Sequence, residues 1–226
     1  MLSQVWSSDT ATTCYKEGKS IILIVEGVTH ELTASSETVQ VTEIPSLRSN
    51  QEESDTRFVL YIKYAQDQGF QSAVVKSPDS DVYFILLHYA KDFSICIYLD
   101  TGRRVINITE ISKSLGPQYS TALLGIYCYT GEDFTIAFKG IIKVRPLQTL
   151  ERNPKFQSPF SKLGSEWNAD EETQNELEQF TCHMYGYPRA SSVDEVRYSK
   201  LKKMVGEGTE LTNISKVDLA KLPPCR

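Results

Sequence analysis

Residues 72–87 read SAVVKSPDSDVYFILL. Ser72–Lys76 has the composition of a short buried strand, and Ser77-Pro78 stops it, because proline lacks an N–H and holds the preceding residue extended. Asp79-Ser80-Asp81 then offers side-chain oxygens to the free N–H groups of an apolar helix running from Val82 to Tyr89. A strand feeding a helix is the building unit of α/β sheets. Such sheets place their active sites beyond the carboxyl ends of the strands, which is where Asp79 and Asp81 fall.

Upstream, Ser20–Val25 (SIILIV) is a β-branched run closed by Gly27, and Val39–Ile44 alternates apolar and polar residues as a half-exposed strand does. Ser49-Asn50 offers a helix N-cap, with Glu52, Glu53 and Asp55 close behind and an apolar face at Phe58, Tyr61, Ile62 and Ala65. Downstream come strands over Ser94–Leu99 and Arg104–Ile108 around an Asp100-Thr101-Gly102 turn, a short helix capped by Thr109 and ending at Gly116, and another helix from Pro117 to Tyr129. From Gly140 the pattern is helical: Gly140–Leu150, Pro154–Leu163, Asp170–Tyr185 and Val193–Met204. This alternation predicts an α/β fold with a mainly parallel central sheet flanked by helices, and a helical C-terminal extension. The expected organisation is a loose segment 1–18, a main domain 19–165, and the extension 166–226.

The 226 residues carry 40% hydrophobic and 23% charged side chains, a composition that supports a packed core. A net charge of −5 does not point to nucleic acid, so charge has to be read segment by segment. No apolar run nears the ~20 residues of a membrane span, and residues 1–19 lack the basic start and apolar stretch of a leader, so no membrane partner is expected. Five scattered cysteines with no C-x-x-C pair fit reduced thiols in an intracellular protein, nuclear or cytoplasmic. Without a glycine-rich phosphate loop or dinucleotide fingerprint, no small-molecule cofactor is expected.

Three places concentrate acids: Glu53 and Asp55, Asp79 and Asp81, and Asp133 in the turn Thr130-Gly131-Glu132-Asp133. Grouped carboxylates repel unless a cation neutralises them, and hard oxygen ligands suit Mg²⁺ or Mn²⁺. Two such ions activate a water and stabilise the leaving oxygen of a phosphodiester. The plainer reading is that each acid is a helix cap or a dipole partner; taken singly, each is better explained that way.

NQEESDTR (50–57), VVKSPDSDVYFILL (74–87) and YTGEDFTIAF (129–138) resemble, in order, three acidic motifs of the PIN-like, flap-endonuclease/XPG superfamily of nucleases. They are most similar to a large, poorly characterised animal group of such domains associated with mobile elements. FSKLG (160–164) and SSVDEVRY (191–198) extend the resemblance along the chain. It implies metal-binding roles for Glu53, Asp55, Asp79, Asp81 and Asp133, with Asp79 and Asp81 at the catalytic centre and two Mg²⁺ or Mn²⁺ ions in an active enzyme. Members of that superfamily begin with a strand ending in Asp. This chain has only Glu26 at the comparable place, so the expectation is a truncated or degenerate nuclease.

Between Lys139 and Leu163 six basic residues face one acid, Glu151. Lys139, Lys143, Arg145 and Lys155 are the candidate contacts to a nucleic-acid backbone; a solvated helix face explains them equally well. Residues 166–178 hold six acids and no base, an ordinary helix-start feature. Two functions stand: a metal-dependent phosphodiesterase acting on DNA or RNA, and a catalytically inactive binding or scaffold domain of the same descent.

Overall fold

In the computed structural model the backbone turns back on itself at Glu26-Gly27, where both residues have positive φ, 51° and 80°. A two-residue turn left-handed at both positions has the twist that joins neighbouring antiparallel strands. β1 (Ser20–Val25) therefore pairs with β2 (Val28–Ala34), from Val25 opposite Val28 to Ser20 opposite Thr33. β3 (Val39–Glu43) adds antiparallel to β2, with His30 opposite Glu43. The structure describes residues 19–34, 39–49, 54–131, 138–206 and 217–225. The chain divides into two compact units, Met1–Val75 with Phe93–Cys96, and Lys76–Asp92 with Ile97–Arg226.

In the first unit, Leu32, Ile44, Leu47 and Ile62 are buried. Buried Thr29 donates its hydroxyl to the Leu47 carbonyl at 3.1 Å, which ties β2 to the short 3₁₀ turn Pro45–Leu47. α1 (Ser54–Asp67) is closed by Gly69 at φ 84°.

In the second unit, α2 (Ser80–Tyr89) follows β4 (Ser72–Lys76), which straddles the unit boundary. β5 (Cys96–Asp100), whose Cys96 belongs to the first unit, and β6 (Val105–Asn107) form a hairpin. There the Asp100 carboxylate accepts the Gly102 N–H at 2.8 Å and the Arg104 carbonyl accepts the Thr101 N–H at 3.0 Å. α3 (Ile108–Leu115) and α4 (Pro117–Tyr129) meet at Gly116, φ 81°. α5 (Val144–Arg152) leads through the 3₁₀ turn Pro154–Phe156 into α6 (Gln157–Lys162). α7 (Glu171–Met184) is capped by Asp170 and α8 (Val193–Val205) by Ser192. Val82, Leu87, Ile97, Ala122, Leu150, Phe160, Phe180 and Val196 are wholly enclosed.

α4 and α6 come together at Gly125, where an added Cβ would lie 2.2 Å from the Phe160 carbonyl oxygen. Backbone cannot step aside as a flexible side chain does, so Gly125→Ala should destabilise the protein by about 2 kcal/mol, outweighing the ~1 kcal/mol that alanine gains over glycine in a helix. Chemical denaturation of the variant checks this; stability equal to or above the parent would show that the helices are not in close contact.

Among the described residues the predicted mainly parallel central sheet is not present. The strands form two sheets of three, ordered β1-β2-β3 and β4-β5-β6; the first is antiparallel throughout and the second contains the antiparallel β5-β6 pair. The reason is the hairpin at Glu26-Gly27. Gly27 does not merely close a strand; it reverses the chain into β2, where no strand was expected. Two smaller readings change as well. Val74 is 65% exposed, so β4 is not a buried strand. The expected first turn of the helix at Ser49-Asn50 falls outside the described residues, as does the segment 1–18. The cap of α3 is Asn107, whose side chain accepts the Glu110 N–H at 3.0 Å; the Thr109 hydroxyl is turned inward and accepts the Ile97 N–H at 2.8 Å.

Candidate functional site

The chain leaves β4 at Lys76 and is pinned at once: the Ser77 N–H donates to the Asp100 carbonyl at 3.0 Å. The Ser77 hydroxyl accepts the Asp79 N–H at 3.2 Å. Asp79, held in extended backbone (φ −80°, ψ 137°), caps α2 by accepting the Asp81 N–H at 3.2 Å. Asp79 is exposed and Asp81 half-buried, so the two carboxylates stand together at the positive end of a helix.

Tyr127 of α4 closes this cluster from 46 residues away by donating its phenol to Asp81 Oδ1. That uses the phenol's single proton, so at the 2.9 Å contact with Ser80 the serine hydroxyl donates. Phe84 stacks on the Tyr127 ring at 4.3 Å, and the Lys143 ammonium lies 3.3 Å from the ring centroid. An acid pair, a phenol and a cation thus meet at one place, all within the second unit.

Burial, then the hydrogen bond to Asp81, then the charges of Asp81 and Asp79 push the Tyr127 phenol up to about 12, against a smaller downward pull from Ser80. The folded state favours the protonated phenol. Its contribution to stability is therefore complete below pH 10 and is lost as pH rises through about 12. Tyr127→Phe should cost about 1.5 kcal/mol at pH 8, the size of a hydrogen bond to a charged group, and the gap to the parent should narrow above pH 10. Urea unfolding at the two pH values measures this; a gap that does not change with pH would disconnect the phenol from Asp81.

One oxygen of each carboxylate is taken, Asp79 Oδ1 by the Asp81 N–H and Asp81 Oδ1 by Tyr127. The second oxygen of each has no hydrogen-bond partner among the described residues. Mg²⁺ keeps several waters and is commonly held by one or two carboxylates together with substrate phosphate, so this donor pair fits one ion. Among the described residues no three His, Cys, Asp or Glu side chains are grouped to hold a metal.

Of the other predicted ligands, Glu53 and Asp133 lie outside the described residues, and Asp55 is in the first turn of α1 in the first unit, half-buried. Glu26 is exposed in the β1-β2 turn. The basic candidates separate. Lys139 is paired with Asp218 at 3.0 Å. Lys155 lies 4.7 Å over the Phe156 ring, in a groove of about 480 Å³ shared with Glu171, Glu172 and Glu176. Lys143 alone of the four is placed at Tyr127, while Arg145 reaches Gly186 after α7. Tyr127 carried no role in the sequence reading, and Ser80 only that of a helix cap. The signal for Tyr127 was a phenol at a buried position of α4, where its hydroxyl needs a partner.

No protein-family model, curated protein or solved structure matches the chain. Among the described residues no helix is long and apolar enough to cross a membrane.

Proposed function

We propose that the chain is a divalent-metal-dependent phosphodiesterase domain for DNA or RNA, with Asp79 and Asp81 holding Mg²⁺ or Mn²⁺. The observation that carries the reading is the meeting of the acid pair with the Lys143 ammonium across the Tyr127 ring. A phosphodiester needs both signs of charge at one point: carboxylates for a metal, and a cation for the phosphate oxygens. The bound ion supplies Lewis-acid stabilisation and an acidified water. The protein's own part is to aim it. Asp79 is fixed by capping α2, Asp81 by the Tyr127 phenol, and the Lys143 ammonium is steered by the ring beneath it. The order of the acidic motifs, with their resemblance to flap-endonuclease-type nucleases, supports the same reading.

The second reading, a domain of the same descent that binds without cutting, is favoured by one observation: the described residues bring only Asp79 and Asp81 together. A single loosely held ion predicts slow chemistry. The deciding experiment pairs Mn²⁺ titration by calorimetry with cleavage of labelled flap duplex, single-stranded DNA and RNA, with and without chelator. Metal-dependent cleavage supports the phosphodiesterase. Absence of cleavage removes the phosphodiesterase and selects the second reading, whether or not Mn²⁺ binds.

A further inference from the structure

A second group of cations gathers in the same unit, at the end of α7. There the chain makes a Schellman-type turn: the Gly186 N–H donates to the His183 carbonyl and the Tyr187 N–H to the Cys182 carbonyl, both at 2.9 Å, with Gly186 at φ 88°. Three cations from two other elements converge on it. Arg145 of α5 places a guanidinium nitrogen 3.3 Å from where a Cβ on Gly186 would sit. Lys200 of α8 lies 5.2 Å over the Tyr185 ring, and Lys203 lies 4.9 Å over the Tyr187 ring.

Cations at a helix C-terminus are ordinary partners of its dipole, but that end carries only about −0.5 of a charge. Three cations exceed it by roughly +2.5. None of Arg145, Lys200 and Lys203 forms an ion pair among the described residues. Lys139, by contrast, is already neutralised by Asp218. Arg145 follows Lys143 by two residues at the start of α5, about 3 Å further along the helix axis.

We propose that Lys143, Arg145, Lys200 and Lys203 form one track that holds the phosphates of a nucleic-acid strand, leading it from the acid pair over the Tyr185–Tyr187 turn onto α8. The inference rests on the phosphodiester reading of the acid pair and extends it to residues outside the basic run of 139–163. Unlike a metal centre, the track works without a divalent ion, because phosphate contacts release counterions whatever the chemistry nearby. Ile142 and Val144 are exposed beside it, so an anionic lipid surface is the competing partner.

The test is fluorescence anisotropy of the full chain with a labelled single-stranded oligonucleotide in EDTA, over a salt series, with vesicles containing phosphatidylserine as a parallel arm. Lys200→Glu/Lys203→Glu should weaken oligonucleotide binding about tenfold or more and make the slope of log K against log salt shallower by about 1.4, while Lys139→Gln should change the affinity less than about threefold. If charge reversal lowers the melting temperature, Lys200→Gln/Lys203→Gln gives the same readout in a milder form. Affinity unchanged by both double variants overturns the proposal. So does a parent chain that binds the vesicles and not the oligonucleotide, or that binds neither. EDTA keeps the two readings separable: absence of cleavage with binding intact sinks the catalysis and leaves the track, whereas cleavage with binding indifferent to Lys200 and Lys203 sinks the track and leaves the acid pair.

Discussion

Replacing Asp79 and Asp81 together by asparagine is expected to lower metal-dependent cleavage by about a hundredfold or more, a barrier increase of about 2.7 kcal/mol, and to abolish the heat of Mn²⁺ binding. The melting temperature should move by no more than a few degrees. The contrast follows from what each oxygen does. Asp79 caps α2 through Oδ1, and asparagine caps as well as aspartate does. In Asp81→Asn the amide still presents a carbonyl oxygen to the Tyr127 phenol. What disappears is the negative charge on the two oxygens that have no partner among the described residues, and a hard divalent ion binds an amide oxygen far more weakly. Loss of charge at a helix start costs about 0.3–1 kcal/mol per residue, partly offset by relief of repulsion between the two carboxylates. Initial rates and calorimetric melting, measured on the same preparation, check both halves. Metal-dependent cleavage that survives the double substitution would show that these acids do not drive it.

Phe160→Ala should give the largest loss of stability, about 3–5 kcal/mol. Phe160 is fully enclosed and meets Phe180 edge-on at 4.6 Å and Tyr129 at 5.5 Å between ring centroids. α6 is only six residues long, too short to persist without such an anchor. Its carbonyl also rests against Gly125 of α4, the helix that carries Tyr127 two residues later. Truncation should therefore lower the melting temperature by about 10 °C and loosen Tyr127 against Asp81, measurable as a fall in the tyrosine's alkaline titration midpoint from about 12 toward 10. A loss under about 1 kcal/mol would mean that the aromatic cluster closes over the gap.

Much of the local structure was legible. Asp79 caps α2, Pro117 opens α4, and the Asp100-Thr101-Gly102 turn joins two strands. Each depends on backbone groups within three or four residues, so the residue types decide it. β2 was not legible. VTHELTA carries no strong strand signal alone and is held by its partners on either side. A glutamate at φ 51° is not the residue by which a left-handed turn announces itself. The parallel sheet was inferred from alternation of elements, and alternation does not say which strands pair.

The acid pair at the start of α2 was determined by the sequence itself, because the spacing of Asp79 and Asp81 and the capping geometry are local. Only the tertiary structure decided what faces it. Tyr127 and Lys143 reach the pair through the way α4 lies along α2 and the chain returns after residue 138, which no short stretch encodes. The basic run is likewise parted: Lys139 goes to Asp218, Lys155 to the Phe156 ring, and Lys143 to the Tyr127 ring. Arg145 joins Lys200 and Lys203 of α8 instead. Charge is written residue by residue, but its partners are set by packing between elements far apart in the chain.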